Sequence, residues 1–305
     1  MAINTLEYAK VFMTTLDKQL LSGATSGWME PNADKVIYNG GAEVKIPKIT
    51  TSGLGDYDRD GGFKKGAVTL AYETMTMTQD RGRTFHLDAM DVDETNFVAS
   101  AGHVMGEFQR TKVIPEIDAY RYSTVAAKAE EKGKVTTGTI TVDNVLSMLL
   151  GDIAKIRDEV GDDTELVISM SGLISPLLEQ AKDLQKKIDV SNFKKGEVDM
   201  KVKSIDSCPI ITVPSARMKT EYLFKDGETE GQEDGGFAAT ETAKNINWII
   251  MPRTAPIAVS KTDVTRIFDP MTNQAAHAWK IDYRKYHDLW IPENQLAAVL
   301  VNREA

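Results

Sequence analysis

Cysteine is almost absent. Cys208 is the single one among 305 residues, so no internal disulfide can form and a disulfide-stapled secreted framework is excluded. No stretch approaches the roughly 18 consecutive apolar residues of a membrane-spanning helix. The opening MAINTL lacks the basic region and apolar stretch of a secretory signal, so the chain is expected to be cytosolic at synthesis. An excess of positive charge is missing too: 36 Lys and Arg face 45 Asp and Glu, for a net charge of −9. That balance argues against gripping nucleic acid through a broad basic face, because phosphate neutralisation needs clustered Lys and Arg. There is no phosphate-binding loop, no GxSxG elbow and no HExxH pair, which removes the commonest catalytic signatures.

Several weaker chemical signals fail on spacing. The run 56–61 (DYDRDG) matches the first half of a calcium loop, with oxygens at positions 1, 3 and 5 and glycine at 6. The twelfth position, which needs a bidentate Glu, is Ala67, and the ninth is Lys64, so the segment reads as a charged loop tip. His86, His103, His277 and His287 are scattered without metal-ligand spacing. Cys208 has no His or basic cluster beside it in sequence and reads as a buried structural thiol. Asp91, Asp93 and Glu94 sit at a helix start, where carboxylates meet the positive end of the dipole. No catalytic, cofactor-binding or metal-binding residue is assigned, no cofactor is expected, and the chain is not expected to be an enzyme.

What is present is a globular composition, 42% apolar and 27% charged, long enough for about two domains. A short amphipathic helix comes first: Asn4 with Glu7 forms a capping box, and Leu6, Ala9, Phe12, Leu16 and Leu20 share a stripe. Its linker, 22–27 (SGATSG), reads as flexible. A helix this short cannot bury its stripe alone, so it is expected either to fold back or to dock on another copy. Residues 35–88 read as β, with a turn at Asn39-Gly40-Gly41 and alternation through Ala42, Val44 and Ile46. Together they suggest a long two-stranded ribbon with a loose tip. A lone hairpin is barely stable in water, so the ribbon must lie on something.

The longest helix starts at a capping box, Asp91 with Glu94, and runs to the stop at Gly133, roughly 40 residues and about 60 Å. Pro115 in its middle predicts a kink or break. Beyond it the pattern is mixed: helices over 141–160 and 173–184, strands over 165–170, 198–205, 209–213 and 247–251, and an acidic, glycine-rich loop at 225–236 (KDGETEGQEDGG). The last third reads as β, with strands at 257–259, 264–268, around 277–289 and at 296–301.

This order of elements resembles the major capsid protein of tailed bacteriophages, the Hong Kong ninety-seven type of fold shared with encapsulins. The phrases that carry it are 34–36 (DKV) with 44–49 (VKIPKI) and 53–63 (GLGDYDRDGGF), similar to the extended loop; 110–121 (RTKVIPEIDAYR), similar to the spine helix; and 211–218 (ITVPSARM). The resemblance implies an α+β phage capsid fold. Its parts would be an N-terminal arm at 1–33, an extended loop at 34–87, a peripheral domain with the spine helix at 88–138, an α/β axial domain at 139–254 and C-terminal strands returning to the peripheral domain at 255–305. The acidic loop is a candidate for the five- and sixfold axes.

The implied function is self-assembly, through pentamers and hexamers, into an icosahedral shell enclosing double-stranded DNA without sequence-specific contact. The shell would form in the host cytoplasm and persist in the virion, with no membrane involved. A separate scaffolding protein is implied, since the arm starts within a few residues of Met1 where some relatives carry a scaffolding segment. A portal protein is also implied, and a decoration protein is left open. Some family members cross-link a loop lysine to a neighbour's asparagine; Lys64, Lys65, Asn273 and Asn294 do not match that pattern. An encapsulin-type nanocompartment is the alternative within the fold. An enzyme using the axial α/β domain is the alternative outside it.

Overall fold

The structure is a computed structural model and describes residues 23–35, 43–88, 100–181, 188–195, 198–273 and 277–305. The N-terminal helix over 4–20, the turn at Asn39-Gly40-Gly41 and the carboxylates Asp91, Asp93 and Glu94 lie outside the described residues. A 3-10 segment, Gly27–Lys35, leads to β1 (Glu43–Thr51), β2 (Val68–Thr76) and β3 (Gln79–Asp88). β1 and β2 form an antiparallel ribbon of nine consecutive pairs, Glu43 opposite Thr76 through Thr51 opposite Val68. β3 leaves that ribbon.

The long helix is built in two parts. α1 (Ser100–Phe108) passes through a π-helical turn, Gln109–Val113, into α2 (Ile114–Glu131). The N–H of Ile114 reaches five residues back to the Gln109 carbonyl. Pro115 follows immediately; it has no N–H to donate, and its ring would collide with a regular helical turn. The wider turn is the form the expected irregularity takes. The helix stops where Gly133, at φ +68°, enters the left-handed region. There Lys134 N–H bonds Ala129 O at 2.8 Å and Gly133 N–H bonds Glu130 O at 3.0 Å, a Schellman stop.

β4 (Val135–Thr137), α3 (Val145–Val160), β5 (Leu166–Ser171), α4 (Ser175–Gln180), β6 (Ile188–Lys195), β7 (Val198–Ile205) and β8 (Cys208–Val213) come next. They are followed by a small hairpin, β9 (Tyr222–Phe224) with β10 (Phe237–Ala239), and by β11 (Ile246–Pro252). The chain ends with β12 (Ile257–Phe268), β13 (Ala278–Trp290), α5 (Glu293–Leu296) and β14 (Leu300–Arg303). Two expected strands, 257–259 and 264–268, are one strand with an irregularity between Ser260 and Thr262. The expected strand from 296 begins at Leu300, after α5.

A mixed seven-stranded sheet, ordered β4-β14-β11-β5-β8-β7-β6, organises the centre. Every residue of β5 and β11 is buried, because helices cover both faces. Alternation sorts their side chains. Val167, Ile249, Met251 and Val301 pack with Tyr122, Val125 and Ala129 of α2. Leu166, Ile168, Trp248 and Ile250 pack with Leu149, Ile153 and Ile156 of α3. A second sheet, β12-β13-β3, packs on α1 and the π turn through Phe85, Ile281, Tyr283, Met105 and Val113.

Candidate assembly surface

The ribbon carries the surface that stands out. Residues opposite each other on an antiparallel pair share a face. One face holds Val44 with Met75, Ile46 with Glu73, and Lys48 with Ala71. This face turns to the subunit's own body. Val44 is buried against Ile257, Val259 and Trp290, with Met75 packed alongside, and Lys48 pairs with Glu293 at 2.7 Å.

The opposite face holds Pro47 with Tyr72, Ile49 with Leu70, and Thr51 with Val68. Ile49 is 62% exposed, Tyr72 61%, Leu70 54% and Val68 74%. Four large apolar side chains thus form one continuous strip, about 14 Å along strands that rise about 3.4 Å per residue. At the tip Leu54 and Phe63 are also exposed, and Tyr57 packs on Phe63 with ring centroids 5.0 Å apart. The sequence patterning gave a ribbon with a loose tip; its two unlike faces follow from the register. Scattered surface apolar residues need no explanation, whereas a contiguous patch does.

The ribbon's root is fixed by a buried carboxylate. Asp288 accepts from Thr78 N–H at 2.7 Å, Thr78 Oγ1 at 3.0 Å and Tyr120 Oη at 2.6 Å. Burial and then the Asp288 charge push the Tyr120 hydroxyl well up, so it stays a donor. β3 then pairs with β13 throughout its length, Gln79 opposite His287 to Asp88 opposite Ala278. The last strand of the stretch 35–88, expected as part of the ribbon, therefore belongs to the body.

The linker expected to be flexible is instead buried and held on α2. Ala24, Thr25, Ser26 and Trp28 are all buried. Asp118, fully buried, accepts from Thr25 N–H and Ser26 N–H at 3.0 Å each and from both hydroxyls at 2.6 Å. Arg217 adds an ion pair to Asp118 at 3.0 Å, and Arg121, also fully buried, spans Ser26 and Glu30. A buried carboxylate is tolerated only with such a full set of donors. Gly23 is held close at the same place: a side chain there would meet Ile114 Cδ1 at 2.7 Å.

The other candidates fall in separate places. Asp58 closes the ribbon tip, exchanging backbone bonds with Gly62 and accepting Asp60 N–H at 3.1 Å. Lys64 and Lys65 lie beside it, exposed, whereas Asn273 donates to Ala278 O at 2.8 Å and Asn294 is on α5. His86 and His277 are exposed; His103 is on α1. His287 is buried edge-on to Tyr120 at 5.6 Å. Burial, then the charges of Arg121, Lys285 and Arg81, hold its pKa well below the ordinary imidazole range. Cys208 is buried near Asp206 and Arg157, whose guanidinium lies 3.8 Å from Sγ, a basic neighbour that sequence adjacency did not reveal. Burial outweighs that charge and pushes the thiol up.

The acidic loop does not stand free. Arg81 of β3 donates to Lys225 O at 2.9 Å and Gly236 O at 3.2 Å while pairing with Glu116 of α2. The loop thus closes over a cleft of about 590 Å³ lined by Phe85, Phe108, Ile117, Tyr283 and Lys112. Among the described residues, no group of three His, Cys, Asp or Glu side chains is placed to hold a metal, and no helix is long and apolar enough to cross a membrane.

No family model and no curated protein sequence matches the chain. Solved structures do. The capsid of the cyanophage P-SCSP1u is similar over 88% of this chain and 85% of its own, with TM-score 0.58 and 10% identity. A Gordonia phage Cozz structure is similar over 88% and 83%, with TM-score 0.56 and 14% identity. A virus-like particle from Pyrococcus furiosus is similar over 97% and 99%, with TM-score 0.54 and 11% identity. At such identities the shared property is the path of the backbone, and it extends over nearly all of the molecule: the chain has the α+β fold of the tailed-phage capsid proteins.

Proposed function

We propose that the chain is a shell-forming subunit of a tailed bacteriophage, a structural protein rather than an enzyme. Copies assemble through pentamers and hexamers into an icosahedral shell around double-stranded DNA, in the host cytoplasm, with scaffolding and portal proteins as partners. On this reading residues 34–87 are the extended-loop segment, whose last strand β3 joins the body, and 88–138 with 255–305 the peripheral domain. Residues 139–254 are the axial domain and 1–33 the arm. The single observation that carries it is the apolar strip of Ile49, Val68, Leu70 and Tyr72, turned away from its own body. Interfaces of modest strength repeated around a closed shell add by multivalency, so a strip of this size suffices when every copy contributes one.

Replacing Leu70 and Tyr72 together by Asp tests the reading. The variant is expected to keep its far-ultraviolet circular dichroism and to form no closed shells in negative-stain micrographs, with or without a scaffolding protein. Shells of normal appearance would refute it. The similarity to the archaeal virus-like particle over almost the whole of both chains favours a second reading, an encapsulin-type compartment holding protein cargo. Nucleic acid or protein inside purified shells separates the two.

A further inference from the structure

The ribbon is attached to its own body at two places of opposite character. One is the pivot where Thr78 meets the buried Asp288 carboxylate, backed by buried Val44, Met77 and Trp290. The other lies farther out and is exposed. Glu293, at the start of α5, accepts from Lys48 Nζ on β1 through Oε2 and from Lys132 Nζ at the end of α2 through Oε1, both at 2.7 Å. Its backbone N–H donates to the Glu73 carboxylate on β2 at 3.2 Å. One short helix thus holds both strands of the ribbon.

We infer that Glu293 is the positioning residue for the ribbon, a releasable clasp that sets the ribbon's angle on its own subunit. Its carboxylate is shared between two ammonium groups from different elements. Without it, Lys48 and Lys132 are left facing each other as like charges. Lys132 follows the last turn of α2, where a cation is favoured by the carbonyl end of the helix, so the helix keeps its lysine and the ribbon is the part that swings. Glu293 and Lys132 are exposed and Lys48 is half-buried, and salt weakens pairs that solvent reaches; ionic strength is therefore the lever. The strong lowering of the Glu293 pKa, to about 2, by Lys132 and then Lys48 agrees with a carboxylate that stays charged in use. The clasp deepens the assembly reading, because the angle it fixes decides where the apolar strip is presented.

The test uses unassembled subunits, so that failure of the shell reading leaves it standing. Nitroxide labels are placed at Thr51→Cys on the ribbon and Ala127→Cys on the exposed side of α2; Cys208 is buried and stays unlabelled. Pulsed electron paramagnetic resonance is expected to give a narrow distance distribution at low salt. It should become broader and longer at about 1 M salt, where the screening length falls to about 3 Å, and in Glu293→Gln. Adding Lys132→Ala to Glu293→Gln removes the repulsion and should narrow the distribution again. Identical distributions at low salt, at high salt and in Glu293→Gln would overturn the inference, as would a broadening that Lys132→Ala leaves unchanged.

Discussion

Asp118 concentrates more structure than any other side chain of the described residues. Its two oxygens take up the backbone and side-chain donors of Thr25 and Ser26 together with Arg217. Asp118→Ala strands those donors in a dry interior, and breaking a buried charged pair costs about 3–5 kcal/mol. Urea denaturation should show a loss of that order, and proteases should cut the chain near residue 25 in the variant. A loss below about 1 kcal/mol would mean that the carboxylate is not what holds the segment. His287 gives a pH dependence of definite sign. Its folded pKa lies below the unfolded value, so the unfolded chain binds the extra proton. The neutral buried ring thus favours folding above about pH 6.5, and this contribution is lost as pH falls. The melting temperature of the subunit is expected to drop between pH 7.5 and 5.5, and to drop less in His287→Gln.

At the scale of elements, the stop of the spine helix is a clean place to separate backbone strain from packing. A side chain at Gly133 would meet nothing within 4 Å, yet φ is +68°. Gly133→Ala should therefore cost about 1–2 kcal/mol from conformation alone, visible as a lower denaturation midpoint with an unchanged slope. That stop was legible in the sequence, as were the alternating strands of the ribbon and the apolar face of α3, because each is written in neighbouring residues. The burial of 24–29 was not legible. Gly, Ala, Ser and Thr have the composition of a linker, and the carboxylate that orders them lies 93 residues away at Asp118. The allegiance of β3 was hidden for the same reason: its pattern suits a ribbon strand, and only its partner β13, some 200 residues on, decides otherwise. The strip itself was half legible. Alternation marks a two-faced strand, but which face meets the body depends on Trp290, Glu293 and Asp288, far along the chain.

For the whole molecule, the division of labour is between a rigid centre and a projecting finger. The central strands β5 and β11 of the seven-stranded sheet keep their apolar residues inside, while the ribbon displays a strip of its own on one side. Substitutions on that side, such as Ile49→Asp, are expected to leave the subunit's unfolding free energy unchanged within about 0.5 kcal/mol while abolishing association in sedimentation velocity runs. A large fall in subunit stability would show that the strip is packed internally after all. The uninterrupted pairing from Glu43–Thr76 to Thr51–Val68 has a further consequence for how such a chain can change over time. Dropping or gaining a single residue within either strand moves every side chain of that strand beyond the change to the opposite face. Variation in length is therefore confined to the hairpin's end, where any number is harmless, or must come in steps of two along its sides.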